Sequence, residues 1–333
     1  MSRRRLLAIL IGGAALVVAA FAAVVIATAG SSSSDELVLY SARSHYGEEE
    51  PFERFAADTG TDLTLRAGSA SELYERLSSE GGNTPADVLI TVDAANLWRA
   101  KEEGLLEPVS SAALNEGVPK DLRDPDGAWY GLTLRARTIM RSAERVRPDE
   151  VTTYEGLGDP RWKGRLCLRS GTSEYNVSFV ADRLAKDGRA ETERMLRRWM
   201  ANEPDILGSD TDVLEAIADG DCDVGLTNHY YLEREREEDP DFPVEAVWAD
   251  QAGRGTHVNL SGLGVVRGSD NKEEATELIE FLVAPAQQRV FQQNNHEFQV
   301  AECCEFKRDP IDVAAAGARL DEAITLMDEV GWD

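Results

Sequence analysis

The sequence predicts an α/β protein of two lobes, each a mainly parallel sheet flanked by helices, joined by strands that cross between them. Three observations predict it. From Glu36 the chain alternates strand, helix, strand, helix, strand at the spacing of a parallel sheet with helices on its faces. The segment "WYGLTLRARTIM", Trp129 to Met140, reads as a strand longer than one sheet usually needs, and so as a segment passing between lobes. "VNLSGLGVV", Val258 to Val266, reads as a strand that returns to the first lobe. The resulting division is 1–34 as an export segment and linker, 35–133 with 264–333 as lobe 1, and 134–263 as lobe 2.

"ELVLYSA", Glu36 to Ala42, is the first apolar strand, and "PFERFAADTG" follows as a helix with Phe52, Phe55 and Ala56 on one face and Gly60 as its stop. "DLTLRAG" is the second strand. Ser69 and Glu72 form the capping-box signature of a helix that carries Leu73 and Leu77. "ADVLITV" is the third strand, with a helix around Leu97 and Trp98. Beyond the long strand, "GRLCLRS" is a strand whose exit loop "SGTSEY" opens a helix from about Tyr175. Met195, Leu196, Trp199 and Met200 mark one helical face, and "DVLEAIADG" marks another. "CDVGLTNHYY" is a strand that ends in "TNHYYLER". Ala275, Leu278, Ile279, Leu282 and Val283 give a strong amphipathic helix, and Leu320, Ile324 and Met327 give the last one.

The 333 residues suffice for one large or two medium domains, and the net charge of -26 excludes nucleic acid and anionic lipid surfaces as expected partners. At the N-terminus three arginines precede an apolar run from Leu6 to about Ala29, then "SSSSDE". That is an export signal or a membrane anchor. Ser2-Arg3-Arg4 with the apolar pair after it also fits a loose twin-arginine pattern, and Ala27-Thr28-Ala29 is an acceptable cleavage site. Either way the body of the chain is expected outside the cytoplasmic membrane, periplasmic or at the cell surface. The four cysteines fit export. Cys167 and Cys222 could pair in an oxidising compartment or remain two buried thiols, and Cys303-Cys304 is a vicinal pair.

In sheets of this kind ligands sit beyond the carboxyl ends of the strands, and a cleft between lobes is the usual place for a small one. Three strand ends carry tyrosine. "YSARSHYGEEE" brings His45 and Tyr46, "RSGTSEYN" brings Tyr175, and "TNHYYLER" brings His229, Tyr230 and Tyr231. A phenol is neutral at physiological pH, so several phenolates persist together only beside a strong cation. Ferric iron, hard and highly charged, prefers such anionic oxygen donors. Each residue alone has a plainer explanation: a half-buried Tyr-Tyr pair, a surface histidine. His229 is expected to point away from Tyr230 and is left out of the ligand set.

The stretches "LVLYSARSHYG", "PADVLITVDAANLWRAKEEGLLEPV", "WYGLTLRARTIM", "GRLCLRSGTSEYN" and "NHYYLER", in this order, resemble the ferric-iron-binding solute receptors of bacterial ABC importers, over Leu37 to about Val300. The resemblance implies the two-lobe periplasmic-binding-protein (Venus-flytrap) fold, with lobes joined by crossing hinge strands, and no enzymatic activity. It implies Fe³⁺ as transported ligand, held by His45, Tyr46, Tyr175, Tyr230 and Tyr231, with Arg135 and Arg137 behind the ligands near the cleft. The "SGTS" loop, at a helix N-terminus, could hold a small anion such as carbonate. Implied partners are a permease and its ATPase, with the receptor itself a monomer. The chain departs from the resemblance at "NHEFQVAECCEF", where Gln299 replaces a proline and the vicinal cysteines appear, a region expected to lie away from the metal. The alternative is a receptor of the same fold for thiamine, a polyamine or phosphate, with Tyr230 and Tyr231 stacking on a cation. No hydrolase triad, phosphate loop or glycosidase carboxylate pair stands out.

Overall fold

The computed structural model describes residues 36–47 and 49–333. The expected export segment lies outside them, and among the described residues no helix is long and apolar enough to cross a membrane.

In chain order the strands and helices are β1 (Glu36–Ser41), α1 (Glu50–Thr59), β2 (Asp62–Ala67), α2 (Ala70–Glu80), β3 (Val88–Thr91), α3 (Ala94–Glu102), α4 (Ala112–Gly117) and β4 (Tyr130–Ser142). Then come β5 (Leu166–Arg169), α5 (Glu174–Asp187), α6 (Arg189–Met200), β6 (Asp205–Leu207), α7 (Asp210–Asp219), β7 (Val224–Asn228), α8 (His229–Glu238) and β8 (Val244–Val247). The chain closes with β9 (Thr256–Val265), α9 (Lys272–Val283), α10 (Pro285–Asn295), β10 (Phe298–Gln299), β11 (Arg308–Asp309), α11 (Val313–Gly317) and α12 (Leu320–Val330). Local signals account for the starts and stops. Ser69 caps α2 in a reciprocal box with Glu72, Ser209 and Asp212 do the same for α7, and Gly60 ends α1 in the left-handed region at φ 80°.

The strands form one sheet in the order β2-β1-β3-β9-β4-β7-β5-β6, with β8 and β10 attached to β4 and β11 to β9. Its outer parts are parallel, β1 with β3 and β5 with β6 and β7. The two long strands are not. β9 runs antiparallel to both β3 and β4, and β4 antiparallel to β7. The outer parts are the expected parallel sheets, and the two crossing strands make the whole a mixed sheet, because a strand that leaves one half and a strand that returns to it run in opposite directions. β4 changes partner along its length: Tyr130 to Ala136 pair with β9, and Arg137 to Arg141 with β7.

The core divides at the same place. One apolar cluster joins Leu39, Phe55, Leu77, Leu89, Leu134 and Leu263 to the amphipathic face Leu278, Ile279 and Leu282 of α9. A second gathers Ile139, Tyr154, Trp162, Phe179 and Trp199, and a third Met140, Cys167, Val213 and Leu232 on the other side of β4, β5 and β7. The last helix departs from the expected division. Leu320, Leu326, Met327 and Trp332 pack into the second cluster with Phe179 and Trp199, not into the first with α9. The reason is visible at α11, where Gly317 lies so flat on the Trp98 ring that a Cβ there would meet it at 2.5 Å, and the chain then crosses over. Cys167 and Cys222 are disulfide-bonded, Cα atoms 5.8 Å apart, tying β5 to the turn before β7, and Cys303 is bonded to Cys304.

Candidate metal centre

Three separated segments meet where β4 changes partner. A short 3-10 turn after β1, Ser44–Tyr46, presents His45 and Tyr46. Tyr175 sits in the first turn of α5, and Tyr230 and Tyr231 in the first turn of α8. The Tyr175 hydroxyl lies 3.3 Å from Nε2 of His45 and accepts from the Tyr230 hydroxyl at 3.2 Å, which in turn accepts from Nδ2 of Asn228 at 3.4 Å. Donor atoms about 3 Å apart are the spacing of ligands that share one ion at about 2 Å. The Tyr46 ring stands 4.0 Å from His45 and 5.7 Å from Tyr230, and the Tyr231 ring 4.5 Å from Tyr230. All five residues expected from the sequence are thus brought to one place.

His45, Tyr46, Tyr175 and Tyr230 are held in their neutral forms. Burial, then Arg43, pushes the His45 imidazole down to about 3, so it offers a lone pair. Burial pushes the phenols of Tyr46, Tyr175 and Tyr230 up, with Glu297 adding to this at Tyr46, Tyr231 at Tyr175, and Tyr175 at Tyr230. Four guanidinium groups lie over the rings: Arg43 at 4.4 Å from Tyr46, Arg135 at 4.9 Å from Tyr175, Arg169 at 5.5 Å from Tyr175, and Arg234 at 4.9 Å from Tyr46 and 5.1 Å from Tyr230. A hard trivalent ion would replace the phenol protons, and the guanidinium groups would share the negative charge that remains.

Arg137 is fixed behind this cluster, its guanidinium donating to Asp210 at 3.2 Å, to Asn176 at 2.8 Å and to Asn228 at 3.1 Å. It reaches Tyr230 only through Asn228. Arg135 has no carboxylate partner among the described residues. It reaches Ser261 at 3.5 Å while its Nη2 is buried without a partner. His229 turns away, but for a different reason than strand alternation. Helix α8 begins at His229, and the helical turn sends its ring onto Phe298 at 4.0 Å, with Nδ1 accepting from the Ala136 amide at 3.3 Å.

Arg43 and Glu297 are absent from the residues expected at the site. Arg43, 2 % exposed, bonds Glu49 at 2.6 Å and Glu297 at 2.7 Å, and Glu297 also accepts from Thr133 at 2.8 Å. Burial alone would raise the Glu297 carboxyl, but Arg43 and the contact with Tyr46 bring it below the usual range. The departing segment "NHEFQ", expected away from the metal, instead supports Tyr46 through Glu297. Partners 254 residues apart leave no local signal.

Beside the cluster opens a polar cleft of about 330 Å³, lined on one side by Ser44, His45 and Ser69 and on the other by Arg169, Ser173 and Tyr231. The Ser173 hydroxyl, at the N-terminus of α5, is buried and unpartnered. A different grouping, Cys167, Asp205 and Cys222, brings sulfur and carboxylate atoms within 4.8 Å, but its sulfurs are spent in the disulfide.

An α/β body with a polar cleft beyond the ends of its strands is the architecture of a solute receptor. The chain belongs to the bacterial extracellular solute-binding proteins, a family it matches over residues 51–293, and the family is one of transport receptors, not enzymes. Iron uptake protein A1 of Synechocystis sp. is 44 % identical over 316 residues, 89 % of this chain and 87 % of the relative. A solved Trichodesmium structure (IdiA, FutA) in complex with iron and citrate is 38 % identical with a TM-score of 0.80, over 90 % of this chain and 100 % of that one. The ferric binding protein from Campylobacter jejuni is 32 % identical with a TM-score of 0.82, over 89 % of this chain and 100 % of that one.

Proposed function

We propose that the protein captures one Fe³⁺ between two lobes outside the cytoplasmic membrane and delivers it, as a monomer, to the permease of an ABC importer with its ATPase. The observation that carries this is the meeting of the Tyr175 hydroxyl with His45 and Tyr230, at 3.3 and 3.2 Å. Two tyrosines and the histidine, from three parts of the chain, point their donor atoms at one another with no carboxylate among them. Zinc would recruit sulfur or several imidazoles and calcium a carboxylate-rich loop, so the donor set suits a hard trivalent cation. The names of the relatives agree with it.

On this reading lobe 1 comprises 35–133 and the chain from 264 through α11, and lobe 2 comprises 134–263 with α12. His45 and Tyr46 belong to lobe 1, and Tyr175, Tyr230 and Tyr231 to lobe 2, so closure assembles the ligands and opening at the permease disperses them. The unpartnered Ser173 hydroxyl and Arg169 in the adjoining cleft support a small anion, carbonate or a carboxylate, as a further ligand of the iron. Metal-free protein titrated with ferric citrate develops a visible phenolate-to-iron charge-transfer band. A colourless titration overturns the proposal.

A further inference from the structure

Glu174 stands next to Tyr175 at the start of α5, and its side chain does something the ligand set does not require. Its Oε1 accepts a hydrogen bond from the backbone amide of Ala70 at 3.1 Å, 104 residues away. Ala70 is the first residue of α2 and belongs to the first apolar cluster, whereas α5 from Phe179 to Leu184 is built into the second. The amides of a first helical turn have no partner inside their own helix, and the N-terminus carries partial positive charge. The cap residue Ser69 satisfies the amide of Glu72, which leaves that of Ala70 to Glu174. A carboxylate of one half therefore caps a helix of the other half, one residue from a proposed iron ligand.

We propose that Glu174 is a positioning residue that latches the closed form, holding α2 against the start of α5 so that Tyr175 stays within reach of His45. This inference rests on the iron-capture reading above. The carboxylate is half-buried and also faces Asp93 of the first half, which opposes the contact, and Arg135 and Arg169, which favour it; its Oε2 has no hydrogen-bond partner. The hydrogen bond, not the full charge, is then the part that holds. Opening the cleft breaks it and returns the Ala70 amide to water, so the latch costs little to release and gives closure a contact that exists in one state alone.

The test uses two variants that remove the same bond from opposite ends. Glu174→Ala removes the acceptor. Ala70→Pro removes the donor at the first helical position, where proline is tolerated, after a Ser69 already at φ -67° and ψ 158°. Each speeds iron release to a chelator by up to about tenfold, the size expected for one hydrogen bond without a full charge. The double variant is no faster than either single one. The charge-transfer band keeps its position in all three, because no ligand changes, and Glu174→Gln, which keeps the acceptor, restores slow release. Small-angle scattering of the metal-free variants shifts to a larger radius than the parent, a readout that holds whether or not iron is the cargo. Additive effects in the double variant, release from Glu174→Gln as fast as from Glu174→Ala, or unchanged scattering overturns the latch. A parent protein that stays colourless with ferric citrate overturns the iron reading instead.

Discussion

Tyr175 is a side chain that joins the two halves at the site, since its hydroxyl meets His45 across the division and Tyr230 on its own side. Replacing it by phenylalanine keeps the ring over which Arg135 and Arg169 lie and deletes one donor atom. For Tyr175→Phe, Fe³⁺ affinity falls by on the order of 100-fold or more, measured by competition with citrate, and the charge-transfer band shifts. A stacking site for an organic cation would bind equally well in that variant and in the parent. A second single-residue prediction concerns stability. Burial, then Glu155, pushes the Asp250 carboxyl up to about 6, and the residue holds a left-handed φ of 56° that asparagine also accepts. The raised value means that folding is penalised as the group ionises, from the ordinary carboxylate range upward through 6. Asp250→Asn removes this penalty. Discounted for its partial exposure, the gain is about 1 kcal/mol at pH 8 and vanishes at pH 4, as read from urea unfolding at the two pH values.

At the scale of elements, the second half holds its proposed ligands on α5 and α8, which follow β5 and β7, and the Cys167–Cys222 bond ties β5 to the turn before β7 across 55 residues. Loop-closure entropy gives an upper figure of about 4 kcal/mol for a loop of that length. The double serine variant melts on the order of 10 °C lower, by calorimetry, and still colours with iron, because no tyrosine is touched. The "SGTS" turn that carries α5 is pinned from outside: a Cβ on Gly171 would meet the Trp332 carbonyl oxygen at 1.9 Å. Gly171→Ala must displace the C-terminal residues after α12, and faster amide exchange at Trp332 with slower iron uptake is the expected result. Most of these elements are legible in the sequence. Ser69 with Glu72, Gly60, and the i, i+3, i+4 pattern of α9 name their helices by chemistry local to a few residues. The short strands β8, β10 and β11 are not, because two to four residues carry no period and pair only with β4 and β9.

For the whole molecule, ligand binding across the cleft is linked to stability. Iron that binds the closed form and not the unfolded chain raises the melting temperature, by about 2.7 kcal/mol in stability when free iron is a hundredfold above its dissociation constant. Thermal melts with ferric citrate, and again after stripping with a chelator, show a rise that is fully reversed. Glu174→Ala narrows that rise while leaving the metal-free melt near the parent's.

The sequence by itself determined the class of fold and the crossing strands, since alternating periodicity is written in neighbouring residues, while the five candidate ligands came from its resemblance to ferric-iron receptors. Only the tertiary structure decided that the long strands run antiparallel, that α12 packs with the second half, and that Arg43 and Glu297 stand behind Tyr46. It also supplied the reason that His229 turns away, because helix α8 begins one residue before Tyr230. Direction, packing partner and buried ion pair depend on residues up to 254 positions apart, and no local pattern encodes a contact whose two sides meet only once the sheet has formed.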